Sequence, residues 1–318
     1  MPNFLVTGGA GFIGSAFVRN LLVGHYLDLF GEVDKIFILD ALTYASDMKN
    51  LTHELTNKKV EFHKGNICDP ELTLNLITKS DYILNFAAES HVDNSIKDAT
   101  DFVKTNIFGV QMLLDQLRKF PEKRYVQIST DEVYGSLKEN SASEESLLKP
   151  NSPYSASKAS GDLLVRAYSE TYGLNTIITR SANNFGPNQN QEKLIPNLIA
   201  KAMRNIDFEI YGDGKNIREW IHVDDNCDAI AIAASKGKAG NVYNIGGSPQ
   251  SNLEVAELIL NFLSNSKSSI KFVKDRLGHD FRYSISDLKI KELGYLPKKN
   301  FFHYLPEVIE QTIIFHSL

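Results

Sequence analysis

Apolar positions along this chain fall into short blocks that alternate between two rhythms. Phe4-Leu5-Val6 is an unbroken apolar run, the pattern of a central parallel strand covered on both faces, and predicts a strand over Asn3–Thr7. After Gly14 the spacing widens to threes and fours, which predicts a helix running to about Leu29. Further strands are predicted at Lys35–Leu39, Val60–Lys64, Tyr82–Phe86, Arg124–Ile128 and Asn175–Thr179. Between them fall helices over Asp101–Phe120 and Pro153–Tyr172, the second with Pro at its first turn. Strand-helix alternation predicts an α/β fold, a Rossmann-type doubly wound parallel sheet. Past Arg180 the pattern loosens, which predicts a smaller, mostly C-terminal α/β region that caps a substrate. Final helices are predicted over about Ser286–Leu293 and Tyr304–Phe315. The polar stretch Ser136–Asn151 reads as a surface excursion over the cleft.

The 318 residues suffice for one large or two coupled domains. With 42% apolar and 23% charged residues, the composition is that of a soluble globular protein. A net charge of −5 gives no basic footprint for nucleic acid. No run approaches the ~18 apolar residues of a membrane span. Cys68 and Cys227 have neither metal nor redox spacing, so no metal site is expected. They read as buried free thiols in a reducing cytosol. Met1-Pro2-Asn3 leads straight into the first strand with no signal-peptide pattern, so a cytoplasmic location is expected.

Chemistry enters with the glycines. Gly8, Gly11 and Gly14 follow a G-x-x-G-x-x-G spacing between the first strand and its helix. Small residues there let backbone amides approach a pyrophosphate, so the turn predicts a dinucleotide site. Asp40 ends the second strand, where a carboxylate accepts from ribose hydroxyls and repels a 2′-phosphate; NAD is expected over NADP. Asn66 and Ile67 are placed to flank adenine, and Ala87-Ala88 permit close approach of the cofactor. Thr130, Asp131 and Glu132 lie just past a strand's carboxyl end, where open α/β sheets bind ligands. Tyr154 and Lys158 stand four apart on one helix face. An ammonium one turn from a phenol favours the phenolate, so Tyr154 is a candidate base; a surface pair is the plain alternative. Lys193 and Arg218 stay open between phosphate ligands and solvated charges, and His91 reads as structural.

Together these motifs resemble the extended short-chain dehydrogenases/reductases, and within them the nucleotide-sugar 4,6-dehydratases, above all the dTDP-glucose 4,6-dehydratase family. The first likeness rests on Gly8, Gly11, Gly14, Tyr154 and Lys158, the second on Thr130-Asp131-Glu132. Epimerases of the superfamily typically lack that acidic pair. Further matches are Ala87 to Asp93, Glu192 to Pro196, Tyr243 to Gly247 and Asp275 to Asp280, so the likeness covers nearly the whole chain. It implies that NAD oxidises a hexose at C4, that water leaves across C5 and C6, and that hydride returns to C6. Tyr154 would take the C4 hydroxyl proton, Thr130 hold that oxygen, Lys158 tune Tyr154 and hold the nicotinamide ribose, Glu132 remove the C5 proton, and Asp131 protonate the departing C6 hydroxyl.

Carried across residue by residue, the resemblance implies a cofactor set of Gly8, Gly11, Phe12, Ile13, Gly14, Asp40, Thr43, Asn66, Ile67, Ala87, Ala88, Thr105, Tyr154, Lys158 and Asn184. The implied substrate set is Ser90, Thr130, Asn183, Lys193, Leu194, Tyr211, Arg218, Asn252, Asp275, Arg276 and His279. Residues 1–182, joined by parts of 214–245, would form the NAD-binding domain, and 183–318 the sugar-nucleotide region. The family implies a homodimer joined through the helices near 101–120 and 153–172. The chain departs from the family pattern at Asn66 (usually Asp), Asn94 (commonly Arg), Glu209 and Leu277 (usually Pro) and Ser181-Ala182 (usually Cys-Ser). Asn94 also resembles the UDP-glucose 4,6-dehydratases, which keeps UDP-glucose or a UDP-amino sugar open as substrate. A superfamily epimerase or decarboxylase is opposed by Asp131-Glu132. A non-catalytic NAD-binding protein is opposed by the intact reacting set.

Overall fold

The computed structural model describes residues 1–275 and 278–316. Its centre is a seven-stranded, wholly parallel sheet. The strands are β1 (Phe4–Thr7), β2 (Ile36–Asp40), β3 (Val60–Lys64), β4 (Tyr82–Asn85), β5 (Arg124–Thr130), β6 (Thr176–Ser181) and, later in the chain, Asn241–Ile245. Between β6 and that last strand come β7 (Asn183–Phe185), β8 (Phe208–Tyr211) and β9 (Ile217–His222), so Asn241–Ile245 is β10. The order is β10-β6-β5-β4-β1-β2-β3. β1 pairs with both β2 and β4, so the winding reverses there. Such a switch point opens a crevice at the carboxyl ends of the strands.

The apolar runs explain the layers. Phe4 and Val6 face one side with Phe17 and Ile36; Leu5 faces the other with Phe37, Leu113 and Val165. All of these are buried, so β1 has no polar face to offer water. Two smaller sheets follow, β11 (Ser248–Ser251) with β9 and β7, and β12 (Ile270–Val273) with β8. They enclose a third core around Phe185, Ile199, Trp220 and Phe301. The chain then crosses back. The helix Val223–Lys236, β10, Ile290 and Tyr295 all pack into the first core of the large sheet.

Several predicted elements differ. The first helix ends at Leu22, not near Leu29, because Gly24 adopts φ +76°; only the short turn Leu27–Phe30 follows. The helix expected over Asp101–Phe120 is three pieces: Thr100–Val103, a π-helical stretch Lys104–Gly109, and Val110–Leu117. Asn106 anchors the π-helical stretch to its neighbours. Its amide exchanges two 3.0 Å hydrogen bonds with the Glu89 backbone and donates to Ser157 Oγ at 2.9 Å. The excursion 136–151 does not cover the cleft. Leu137 N–H donates to Arg282 O and Ala142 N–H to Ser284 O, and Ala142 packs with Val133 and Ile285. The last helices run Leu288–Glu292 and Phe301–His316. Cys227 is buried as expected, whereas Cys68 is only half-buried.

Candidate active site

The glycine turn closes the crevice floor. A Cβ on Gly8 (φ +66°) would lie 2.6 Å from Ala87 N, and one on Gly14 2.4 Å from Gly8 O, so the turn packs directly on the end of β4 and on itself. Asp40 fastens it: Oδ2 accepts from Ala10 N–H at 2.9 Å and Oδ1 from Leu42 N–H at 2.8 Å. Above the turn is a cavity of about 340 Å³. All fifteen expected cofactor residues line it: Gly8, Gly11, Phe12, Ile13, Gly14, Asp40, Thr43, Asn66, Ile67, Ala87, Ala88, Thr105, Tyr154, Lys158 and Asn184. Thr105 is brought there by the π-helical stretch. Asn66 Oδ1 accepts from Cys68 N–H at 2.9 Å. A carbonyl oxygen keeps a second lone pair for adenine.

β5 ends at Thr130, and a short 3₁₀ turn, Asp131–Tyr134, delivers the acidic pair to the same cavity. Thr130 Oγ1 accepts from Glu132 N–H at 3.3 Å and lies 3.2 Å from Asp131 Oδ1, to which it donates. Burial, then the neighbouring Glu132 and Glu219 carboxylates, push the Asp131 carboxyl well above the usual range. A carboxyl in that state holds its proton and can give it away. Glu132 is half-buried, and its Oε2 lies 3.5 Å from Tyr283 OH.

Ser152 caps the helix Pro153–Tyr172 through a reciprocal bond with Ser155, which fixes the register of Tyr154 and Lys158. The Tyr154 phenol lines the same cavity as Thr130, and its backbone N–H donates to Ser95 Oγ at 3.2 Å. The expected lowering of this phenol by Lys158 is not found. Burial first, then Glu132, raise it, with Asp131 and Asp162 adding to the rise. Lys158 turns elsewhere: its Nζ donates to Ile128 O at 2.6 Å, and burial pushes its own value down to about 8.

A second cavity, about 730 Å³, adjoins the first. Ser90, Glu132, Asn183, Lys193, Leu194 and Trp220 line both, so the two form one cleft with Glu132 at the junction. Tyr211, Arg218, Asn252 and His279 line the second. Arg218 is buried, donates to Asp280 O at 2.8 Å and stacks 4.3 Å from the Tyr283 ring. Lys193 Nζ donates to Ser90 O at 2.8 Å, and burial lowers its value. Asp275 does not line the cleft; its Oδ1 bonds His279 Nδ1 at 2.6 Å. Arg276 and Leu277 lie outside the described residues. His91 heads the helix Val92–Lys97 and also lines the second cavity. Asn94 lines neither cavity. Glu209 lines the second and pairs with Lys201 at 2.9 Å. Among the described residues no cluster of His, Cys, Asp and Glu could hold a metal ion.

Sequence reasoning missed Gln189, Trp220 and Tyr283. Tyr283 bonds Asp280 Oδ2 at 2.6 Å and meets Glu132 across a gap of 151 residues in sequence. No local spacing signals such a contact. The polar inventory of the cleft fits a dinucleotide and a polar substrate. Asp131 Oδ2, Asn183 Oδ1, Asn184 Oδ1, Gln189 Oε1 and Trp220 Nε1 are buried without a hydrogen-bond partner among the described residues, and all five residues line it. Buried polar atoms left unpaired are costly, so such a set marks where a ligand completes the bonding.

The comparisons agree with this geometry. A family model described as GDP-mannose 4,6 dehydratase matches residues 5–308. A low-salt glycan biosynthesis protein of Haloferax volcanii is 50% identical over 93% of this chain and 94% of its own. A dTDP-glucose 4,6-dehydratase of Streptomyces niveus is 46% identical over 96% of this chain and 91% of its own. The crystal structure of DesIV, a dTDP-glucose 4,6-dehydratase of Streptomyces venezuelae with NAD bound, superposes with a TM-score of 0.93 at 45% identity, covering 97% of this chain and 96% of that one. A UDP-glucose 4-epimerase of Thermotoga maritima shares the fold at a TM-score of 0.87 but only 28% identity, over 97% of this chain and 98% of that one, so the fold alone does not choose the chemistry. With a family match spanning nearly the whole chain and relatives this similar, the chain belongs to the dTDP-glucose 4,6-dehydratase family of nucleotide-sugar dehydratases.

Proposed function

We propose that this protein converts dTDP-glucose to dTDP-4-keto-6-deoxyglucose, with net loss of water. The observation that carries the reading is convergence: Thr130, Asp131, Glu132, Tyr154 and Lys158 meet in one cavity that opens into another bearing Lys193 and Arg218. Bound in the first cavity, NAD would supply a hydride acceptor at sugar C4, a donor at C6, and a positive charge beside the Tyr154 phenol.

In this reading Tyr154 takes the C4 hydroxyl proton and Thr130 holds the same oxygen. The C4 ketone then acidifies C5, which brings that proton within reach of a carboxylate base, Glu132. Asp131, whose burial keeps it protonated, gives its proton to the C6 hydroxyl as it departs. Lys158 holds the ribose side of the cofactor. Arg218 and Lys193 take the diphosphate, Arg218 as a planar fork already braced by Asp280 O and Tyr283. His279, which lines the second cavity with Asp275 bonded to its ring, is assigned to the substrate side.

Exposed apolar side chains on the helices near 101–120 and 153–172 support a homodimer: Val103, Phe108 and Leu163 are 51%, 46% and 55% exposed. Among the described residues no helix is long and apolar enough to cross a membrane. The free thiols fit a reducing compartment, and a cytoplasmic location belongs to the same proposal.

The test is mass spectrometry for the loss of one water from dTDP-glucose, with UDP-glucose in parallel. Dehydration of dTDP-glucose with the higher kcat/KM is expected. If both nucleotides stay intact with NAD present, the proposal is wrong. UDP-glucose lacks the thymine methyl and carries a ribose 2′-hydroxyl that dTDP-glucose does not; the methyl alone is discriminated by about 1–3 kcal/mol. Asn94, the residue that resembles the UDP-glucose enzymes, lines neither cavity.

A further inference from the structure

Beneath the cleft lies a buried charge cluster that the steps above leave unused. Asp162 follows Lys158 by one turn of the helix Pro153–Tyr172 and is 1% exposed. Its Oδ2 accepts from Ser129 Oγ at 3.0 Å and from Arg180 Nε at 2.9 Å. Its Oδ1 is buried without a hydrogen-bond partner among the described residues. Arg180 is braced in turn: it donates to Tyr134 OH at 2.7 Å, and that hydroxyl donates to Asn244 Oδ1 at 2.8 Å. The next residue back on β5 completes the figure, since Ile128 O takes the Lys158 ammonium. Consecutive residues of one strand thus hold the lysine and the aspartate.

A buried ion pair adds little net stability, because desolvation offsets the attraction. A buried ammonium without an anion deprotonates. Burial already lowers Lys158, and Asp162 is the group opposing that change. We propose that Asp162 is a positioning residue for the dehydration: its carboxylate, clamped by Ser129 and Arg180, keeps the Lys158 side chain charged and directed to the end of β5. The inference rests on the reading of Lys158 as part of the reacting set.

Few other charges face Lys158. Asp162, on its own helix, is the charge that acts on Lys158; Arg180 on β6 acts on Asp162, and Asp131 and Glu132 on the turn after β5 act on Tyr154. The π-helical stretch packed against this helix presents the uncharged Asn106 and Thr105. Asp93 and Asp101, on the two short helices before it, act on Lys193 and Glu89 instead, and Asp115 bonds Tyr168.

The experiment follows Lys158 itself. The pH dependence of its acylation by acetic anhydride, read by peptide mass spectrometry, gives its titration midpoint in the wild type, in Asp162→Asn and in Asp162→Asn/Arg180→Met. We expect the midpoint to fall by about one pH unit or more in both variants. The alkaline limb of kcat/KM should move the same way. Asp162→Asn leaves Arg180 buried and unpaired, so its Tm should drop; the double variant should recover Tm yet keep the shifted midpoint. A midpoint unchanged in either folded variant overturns the proposal and leaves Asp162 a purely structural partner of Arg180. Should the wild type dehydrate no hexose nucleotide, the functional reading fails by that result, and the labelling still decides whether Asp162 governs Lys158.

Discussion

At the scale of residues, the acidic pair divides its labour by burial. Asp131 is 2% exposed with one oxygen unpaired, while Glu132 reaches the junction of the two cavities. Changing Glu132→Gln should lower kcat by about 10²–10⁴-fold and leave reduced cofactor standing in single-turnover absorbance, since C4 oxidation precedes its step. Unchanged turnover would remove Glu132 from the C5 role. Asp131 makes a two-sided prediction. A carboxyl whose folded value lies above its unfolded one is neutral in both states at low pH and costs nothing there. The cost grows as pH rises past the ordinary carboxylate value and is complete beyond the folded one. Asp131→Asn should therefore raise stability by about 1–3 kcal/mol at neutral pH, with no gain near pH ~4, while abolishing turnover. Equal Tm gains at both pH values would refute the sign. The motif residues were legible because Thr130-Asp131-Glu132 and Tyr154/Lys158 are local patterns. What Lys158 does was not, because its partner, Ile128 O, is 30 residues away and reached only through sheet geometry.

The elements carry a different lesson. The sequence pattern placed every strand of the large sheet up to β6 within a residue or two, most plainly β1 and β2, whose residues are all buried. Helix interiors were less legible. Nothing in the period of Asp101–Phe120 announces the π-helical stretch over Lys104–Gly109 or the bonds of Asn106 to the Glu89 backbone. Helix packing against that stretch is close: a Cβ on Gly161 would stand 2.7 Å from Asn106 O. Gly161→Ala should cost about 1–3 kcal/mol and weaken NAD binding through Thr105, both measurable by thermal melts and titration. A variant with wild-type Tm would mean that the two helices can part without penalty.

For the whole molecule, the outward apolar side chains on the paired helices set the prediction. The wild type should run as a dimer by light scattering and Phe108→Glu with Leu163→Glu as a monomer; a wild-type monomer would end the dimer proposal. Strand-helix alternation predicts the parallel sheet as far as β6, but the placement of β10 beside β6 was beyond it, because strands β7 to β9 of the smaller sheets and the helix Val223–Lys236 intervene. That late return has an engineering consequence. Anyone splicing the front half of this protein onto a relative's rear half, to retarget it to another sugar, also swaps the seventh strand and the helix beneath it. A successful hybrid must preserve the seam from Asn241↔Ile177 to Ile245↔Ser181 before its new pocket can be judged at all.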